Sequence, residues 1–374
     1  MEANHKIHRV DHRILSRTHK VIALGFATQG LGYATVMNLL PAIKTDLKLL
    51  KERLLAMIIL GVCIAAALGS ILADRIAVKL GSRLAIVTGF IFEAIGIAIA
   101  AFSPNVMLMI ASFLVYGLGL GCLDAALNMQ AVMMEQRLGR SVFGAFFACY
   151  TAAAFLGALM MSVTVSTPLG ATTALCIAVV IACITSHLSR NWLFQQKQCA
   201  ELNPQQKPAI PYQQLLIFGL IILIVFTVDS AISTWSSIYL KDVLASSATI
   251  APLGYAAYQI GILLTRLSLD YLLRFKTATW VALVTILIGA FGCVLSGISH
   301  SLVTVIIGFA LAGVAVDENR RDEIIARVNI FNYGGAVAGA VIVGLLATPF
   351  GYAPSFIGLA FALLGILYFR KRLV

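Results

Sequence analysis

The feature that most constrains this chain is a repeated run of apolar residues. Runs of about 20 apolar residues recur between residues 21 and 369, and short charged islands separate them. A run of this length crosses the hydrocarbon core of a bilayer as an α-helix, because a helix bonds every backbone amide within its own segment. Only 11% of the residues are charged and 60% are hydrophobic, whereas about 25% are charged in a soluble domain. No period-two alternation of polarity appears, which argues against a β-barrel. The sequence therefore predicts an all-α membrane protein.

The apolar runs predict twelve transmembrane helices in two six-helix bundles. A polar stretch at 188–214, rich in Gln and Pro, separates six runs from six and has the composition of a flexible linker. The predicted domains are an N-terminal arm, a first bundle, a central loop, a second bundle and a tail, at 1–20, 21–187, 188–214, 215–369 and 370–374. The predicted spans are 21–43, 54–76, 84–102, 106–130, 142–166, 170–187, 215–239, 249–270, 277–298, 302–316, 328–350 and 353–369.

The basic residues predict the orientation of the chain. With an even number of spans and both termini assigned to the cytoplasm, 22 of the 27 Lys and Arg residues fall on the cytoplasmic side, which is the positive-inside pattern. Topology therefore accounts for the net charge of +11, and we expect no nucleic-acid partner. The N-terminal arm has no cleavable signal pattern. We expect a multi-pass protein of a bacterial inner membrane, in contact with the lipid bilayer and with both termini in the cytoplasm.

Two matching segments indicate an internal duplication. GSILADRIAVKLGSR (69–83) closes the second span of the first bundle, and LLTRLSLDYLLRFK (263–276) closes the second span of the second bundle. Each places an Asp, Asp74 or Asp270, about one turn before a basic residue. The two bundles are therefore expected to be pseudo-symmetric.

The plan of six plus six spans, the central loop and the element at 69–83 together resemble the major facilitator superfamily over nearly the whole chain. Two segments are similar to its fucose-permease-like branch: GLGLGCLDAALNMQAVMMEQ (117–136) and DSAISTWSSIYL (229–240). The resemblance implies a monomeric secondary transporter that works by alternating access, with a cavity lined by helices 1, 4, 5, 7, 8, 10 and 11. The tenth span (302–316) is unusually short for this family, and Phe147 stands where relatives often have a His.

Ionisable residues inside spans are costly and mark functional candidates. Asp124 and Asn128 lie four residues apart on one face of the fourth helix, and the branch resemblance implies a role for this acid in substrate and proton binding. The alternative for Asp124 is a structural hydrogen bond to a neighbouring helix near the cytoplasmic end. Asp229 lies within the seventh span. Trp235 is either a stacking surface for a sugar ring or an interfacial anchor. For Glu93 in the third span we expect a structural role, either hydrogen-bonded to a neighbour or protonated at a helix seam.

Further polar and aromatic side chains fall on helices that line the cavity in the resembled fold. Each alone fits a packing contact, and together they predict a polar substrate. The residues assigned to this substrate or proton site are Gln29, Tyr33, Asn38, Tyr150, Gln259 and Asn332.

Charged clusters near the cytoplasmic ends of the second and eighth helices predict gates. Ion pairs there would break and re-form as the two halves rock. The alternative is simple positive-inside anchoring, although anchoring requires no acids. The predicted gating residues are Asp74, Arg75, Lys79, Arg83, Arg266, Asp270 and Arg274.

These features predict a transporter rather than an enzyme, with a small polar solute, for instance a sugar, and a proton as its ligands. The chain contains no P-loop motif, so we expect an ion or solute gradient to drive transport. No CxxC pair is present and no histidine falls well inside a span, and we expect neither a metal nor a cofactor. Two alternatives stay open: an efflux pump for drugs or metabolites, and a degenerate, non-transporting membrane protein, which the short tenth span would suit.

Overall fold

The computed structural model describes residues 2–46, 52–195, 212–315 and 322–368, and its regular elements there are helices. We label the helices α1 to α12 in chain order. Their bounds are α1 Glu2–Asp46, α2 Glu52–Leu80, α3 Ser82–Ala101, α4 Val106–Leu138, α5 Phe143–Thr164, α6 Ala171–Trp192, α7 Tyr212–Asp242, α8 Pro252–Phe275, α9 Ala278–Ile298, α10 Leu302–Gly313, α11 Asp322–Phe350 and α12 Tyr352–Ile366.

Seven helices in the described part are long and apolar enough to cross a membrane: α2, α3, α4, α5, α6, α7 and α9. Shorter apolar helices occur at Leu302–Gly313, Gly334–Phe350 and Tyr352–Ile366. The all-α membrane fold is therefore confirmed. The number of twelve spans, the short tenth span and the five predicted domains stay predictions, because residues 196–211 and 316–321 lie outside the described part.

Capping residues fix both ends of α4 and the start of α5. The side chain of Asn105 accepts a hydrogen bond from the backbone N–H of Leu108 and caps α4. Gly139 ends α4 in the left-handed region, at φ 65°. Oε1 of Glu135 then accepts from the backbone N–H groups of Val142 and Phe143, at 2.7 and 3.0 Å. Glu135 therefore satisfies amides at the start of α5, and the turn between α4 and α5 is short.

Contacts divide the chain into two compact units. Unit 1 comprises Met1–Gly32, Ile64–Ala153 and Leu175–Pro204. Unit 2 comprises Tyr33–Cys63, Ala154–Ala174 and Gln205–Val374. The chain passes between the units within α1, α2, α5 and α6, so these helices contribute to both.

In unit 1, α4 packs closely on its neighbours through glycines. A Cβ atom added at Gly121 would overlap the backbone of Ala66 in α2, and one added at Gly119 would overlap the backbone of Glu93 in α3. Small residues at such seams allow two helix backbones to come into contact. The spaced glycines of the segment 117–136 therefore hold α4 against both α2 and α3.

Unit 2 has an equivalent seam between α7 and α11. A Cβ atom at Gly339 would overlap the carbonyl oxygen of Thr227. Oγ of Ser230 donates to the carbonyl oxygen of Ala336 at 2.6 Å, which ties the same two helices together. Small residues and a polar side chain thus stabilise this seam where apolar burial alone gives little drive in lipid.

Candidate functional site

Asp124 is held by a side chain from another helix of unit 1. Nε2 of Gln29, in α1, donates a hydrogen bond to Oδ1 of Asp124, in α4. Gln29 is buried, while Asp124 and Asn128 are partly exposed. The structure thus brings together two residues that the sequence assigned separately to one binding site. Their arrangement provides a carboxylate whose second oxygen is available to a ligand or a proton.

Glu93 lies in the same unit on the buried face of α3. Its side chain has no exposed surface, and neither carboxyl oxygen has a hydrogen-bond partner among the described residues. Its Oε1 occupies the space that a side chain at Gly32 of α1 would fill, and Asp124 is close enough to repel a charge on it. Of the two structural roles expected for Glu93, the hydrogen bond to a neighbour is therefore not found among the described residues, and the position at a helix seam is; its protonation stays a prediction.

Asp229 lies in unit 2 and has partners of its own. Oη of Tyr258, in α8, donates to Oδ1 of Asp229, in α7, at 2.8 Å. Arg266, two turns further along α8, is close enough to attract the carboxylate electrostatically. Tyr33 and Tyr255 pack together beside this group. The result is an acid that is bonded to one phenol group and close to a second, Tyr255.

Trp235 and Asn38 are engaged in the packing of unit 2. Trp235 is fully buried, and its indole N–H donates to the carbonyl oxygen of Ala340 at 2.9 Å. Asn38 accepts a hydrogen bond from Oγ of Ser237 at 2.6 Å. In this conformation the structure therefore places Trp235 and Asn38 at seams of α7, and their predicted contact with substrate remains a prediction.

The other predicted binding residues are divided between the units. The backbone of Tyr150, in unit 1, packs against Gly30 at the crossing of α5 and α1. Gln259, in unit 2, is buried on α8, and Asn332 is partly buried on α11. Each lies on a helix of the expected set.

The predicted cytoplasmic gates are only partly visible. Asp74, Arg75 and Lys79 are exposed on α2, and Arg274 is exposed on α8. Nε of Arg83 donates to the carbonyl oxygen of Leu193 at 2.8 Å, and Arg83 also lines a cavity of about 700 Å³ together with Thr18, Arg137, Asn191, Trp192, Leu193, Phe194 and Gln195. The side chain of Asp270 lies outside the described residues. The gating role of this set therefore remains a prediction.

The structure shows one charged cluster that the sequence did not reveal, and we call it the Lys44 cluster (Lys44, Glu52 and Asp242). In unit 2, Nζ of Lys44 lies 2.6 Å from Oε1 of Glu52 and 2.5 Å from Oδ2 of Asp242. Burial lowers the pKa of Lys44, but hydrogen bonds with Asp242 and Glu52 outweigh this effect and hold the pKa above its ordinary value. The cluster joins the end of α1 to the start of α2 and the end of α7.

The sequence carries no local signal for this cluster. Lys44 follows the first predicted span and Asp242 follows the seventh. Their separation of 198 residues hides the pairing from any local pattern. In the described part of the chain, no three His, Cys, Asp or Glu side chains come close enough together to hold a metal ion.

The apolar helices and the glycine seams are those of a multi-pass α-helical membrane protein. Residues 22–317 match the family model of the Major Facilitator Superfamily, and the chain belongs to this family. It is 27% identical over 347 residues to the uncharacterized transporter y4wD of Sinorhizobium fredii, covering 87% of this chain and 90% of the relative. It is 24% identical over 340 residues to an uncharacterized MFS-type transporter of Yersinia pestis, covering 87% of each chain.

Solved structures agree on the fold. The nucleoside transporter NupG superposes with a TM-score of 0.68 at 16% identity, over 95% of this chain and 99% of that one. A bacterial homologue of the human drug peptide transporters PepT1 and PepT2 superposes with a TM-score of 0.72 at 14% identity, over 96% and 100% of the two chains. The match to the family model confirms the superfamily prediction, while the fucose-permease-like branch stays a prediction.

Proposed function

We propose that this protein is a proton-coupled symporter that moves a small polar solute, such as a sugar, across a bacterial inner membrane by alternating access. The observation that carries the proposal is the pairing of Gln29 with Asp124 within a helix bundle. The proposal includes twelve spans, a monomer and cytoplasmic termini. The positive-inside distribution of Lys and Arg supports the cytoplasmic termini.

Asp124 has the chemistry that coupling requires. Its carboxylate can accept hydrogen bonds from solute hydroxyl groups or bind a proton, but binding a proton removes its charge. The bond from Gln29 favours the ionised form, because an N–H donor stabilises a carboxylate. A movement of α1 that removes Gln29 therefore changes the proton affinity of Asp124, and this links the conformation of the protein to proton binding.

Asp229 supplies a second polar group in unit 2. Its neighbours Tyr258 and Tyr255, and Tyr33 packed beside Tyr255, provide phenol groups and flat rings, which are suited to bind the hydroxyls and the faces of a ring-shaped solute. Arg266 offsets the negative charge of Asp229. These features favour a hydroxyl-bearing solute over a purely apolar one, and they support symport over the export of apolar drugs.

The Lys44 cluster supports alternating access. Lys44 and Glu52 belong to the first two helices, and Asp242 ends the seventh, so the two ion pairs connect segments on either side of the central loop. Ion pairs between moving elements can hold one state closed and release the other. We assign the Lys44 cluster as the gate opposite the predicted cytoplasmic gates.

The test uses purified protein in liposomes that contain a pH-sensitive dye. An inward proton gradient is imposed, and uptake is followed for a panel of radiolabelled monosaccharides and nucleosides; nucleosides are included because the similar structure NupG is a nucleoside transporter. We expect at least one solute to accumulate and to acidify the lumen. The variant Asp124→Asn should lose this coupled uptake.

The matched control is Asp11→Asn, which removes an acid from the N-terminal arm and should behave like the wild type. Uptake without acidification would refute proton coupling and retain transport. Export of an apolar drug from inverted vesicles, with no sugar or nucleoside uptake, would favour the efflux alternative. No flux of any solute in a folded protein would refute the proposal.

A further inference from the structure

Glu93 lies where three helices of unit 1 meet. The backbone of α3 at Glu93 contacts α4 at Gly119, and the side chain points towards α1 at Gly32. Gly32 follows Gln29 by three residues, so both lie on one face of α1. This face of α1 therefore presents an N–H donor to Asp124 and a glycine, with no side chain, to Glu93.

The environment of Glu93 cannot stabilise a negative charge. Its side chain is fully buried, and neither oxygen accepts a hydrogen bond from any described residue. Gly32 offers no side chain, and Asp124 is the titratable neighbour from α4. An isolated buried carboxylate is strongly unfavourable, and such a group takes up a proton instead. A second acid nearby strengthens this preference, because two close carboxylates do not both ionise readily.

Glu93 and Asp124 are therefore unequal members of one pair. Asp124 is partly exposed and receives the hydrogen bond from Gln29, so it is the member that can carry a charge. Glu93 has no such donor in the described part of the chain. Titrations of interacting acids belong to the pair rather than to one residue, and a proton lost from Glu93 would add a second charge beside Asp124.

We propose that Glu93 is a proton-binding site of this protein, which forms with Asp124 a carboxyl pair that holds one proton on Glu93 in the conformation described here. On binding, the Glu93 carboxylate takes a proton from a hydronium ion, so one O–H bond forms on the carboxyl group, one O–H bond of the ion breaks, and a water molecule is left. Release of the proton to water is the reverse of this step. The role of this proton in driving transport rests on the proposed function, whereas its binding does not.

The first experiment measures protonation without any solute. Infrared spectra of purified protein are recorded at neutral pH for the carbonyl stretch of a protonated carboxylic acid, a band that ionised carboxylates lack. We expect this band in the wild type, in Asp124→Asn and in the control Asp11→Asn, and its loss in Glu93→Gln. The variant Glu93→Asp, which keeps a carboxyl group one methylene shorter, should shift the band.

A band that persists unchanged in Glu93→Gln would overturn the proposal, as would its absence from the wild type. If Glu93→Gln fails to fold, an unshifted band in Glu93→Asp is the refuting result. Loss of the band together with no transport of any solute leaves the Glu93 site standing and refutes symport. Proton-coupled transport with an unchanged band refutes the Glu93 site alone.

The second experiment separates the two acids in transport, with a solute that the liposome panel identifies. Exchange of labelled for unlabelled solute at equal pH needs no net proton movement, whereas uphill accumulation does. Glu93→Gln should retain exchange and lose accumulation. Asp124→Asn, which alters the proposed solute site, should lose both. Equal accumulation by Glu93→Gln and the wild type would contradict a coupling role for Glu93.

Discussion

Replacing Lys44 by Gln tests the proposed gate most directly, because one substitution removes both ion pairs. The side chain of Lys44 is 18% exposed, and those of Glu52 and Asp242 are 23% and 30% exposed. Exposed ion pairs contribute about 0–1 kcal/mol each, and hydrogen bonds to charged groups about 1.5–3 kcal/mol. The partial burial of this cluster places each contact near the boundary of these ranges, at about 1 kcal/mol.

Two such contacts together favour the closed state of this gate by about 2 kcal/mol. Since 1.4 kcal/mol corresponds to a factor of ten, their loss should raise the population of the open state by about 30-fold. Lys44→Arg preserves the charge and should change this population little, although the fork geometry of Arg differs from that of an ammonium group.

The assay measures how readily a buried position behind the cluster reacts with a thiol reagent. Ser237 is 1% exposed and bonds to Asn38 at the contact of α7 with α1. In a background without the native cysteines, the variant Ser237→Cys is labelled by a hydrophilic maleimide. The labelling rate should rise by about 30-fold when Lys44→Gln is added, in proportion to the open population.

The control is Lys241→Gln, which removes a positive charge next to Asp242 but leaves both ion pairs of Lys44 in place. Its labelling rate should match that of the parent protein. Equal rates in Lys44→Gln and Lys241→Gln would refute the gate. A rise of the same size in Lys44→Arg would show that packing, and not charge, holds this side closed.

Three further predictions concern pH and the helix seams. Because the pKa of Lys44 is raised in the folded protein, the stabilisation from its charge is complete below the ordinary Lys pKa and is lost only as pH rises through the raised value. In the Ser237→Cys background, the ratio of labelling rates with and without Lys44→Gln should therefore stay constant from about pH 7 to 9. A falling ratio in this range would contradict the raised pKa. Gly339→Ala should lower the melting temperature and the free energy of unfolding, the latter by about 1–3 kcal/mol, because the added Cβ atom meets the backbone of α7. The control is Gly144→Ala, whose Cβ atom meets no atom within 4 Å. An equal loss in both variants would contradict the seam between α7 and α11. Trp235→Phe should cost about 1–3 kcal/mol, because it removes the indole bond to the carbonyl oxygen of Ala340 and part of a fully buried ring. An unchanged melting temperature would show that this contact contributes nothing.

The site was only partly predictable, and Gln29, Asp124 and Glu93 show why. The sequence singled out all three as polar residues in apolar runs, since a polar residue inside a span is unusual at any position. The pairing of Gln29 with Asp124 joins residues 95 positions apart, and no local pattern encodes it. Glu93 was assigned a structural role, and the third helix was not among those expected to line the cavity. Its lack of a described hydrogen-bond partner emerged only from the packing.

The sequence by itself determined that the chain is helical, that it crosses a membrane and roughly where each helix lies. Hydropathy is a local property, because each residue contributes its own transfer free energy to a run. It marks the lipid-facing length and not the helix end: the fourth run was predicted at 106–130, but α4 continues to Leu138 and ends at Gly139. The last turns of α4 lie beyond the apolar run and are stabilised by local capping.

Only the tertiary structure decided which side chains meet. The contacts of Lys44 with Asp242 and of Asn38 with Ser237 join residues 198 and 199 positions apart. They form because small residues let helix backbones approach closely and so fix which faces come together. That selection depends on the packing of several helices at once, and for this reason the apolar runs predicted the helices but not their partners.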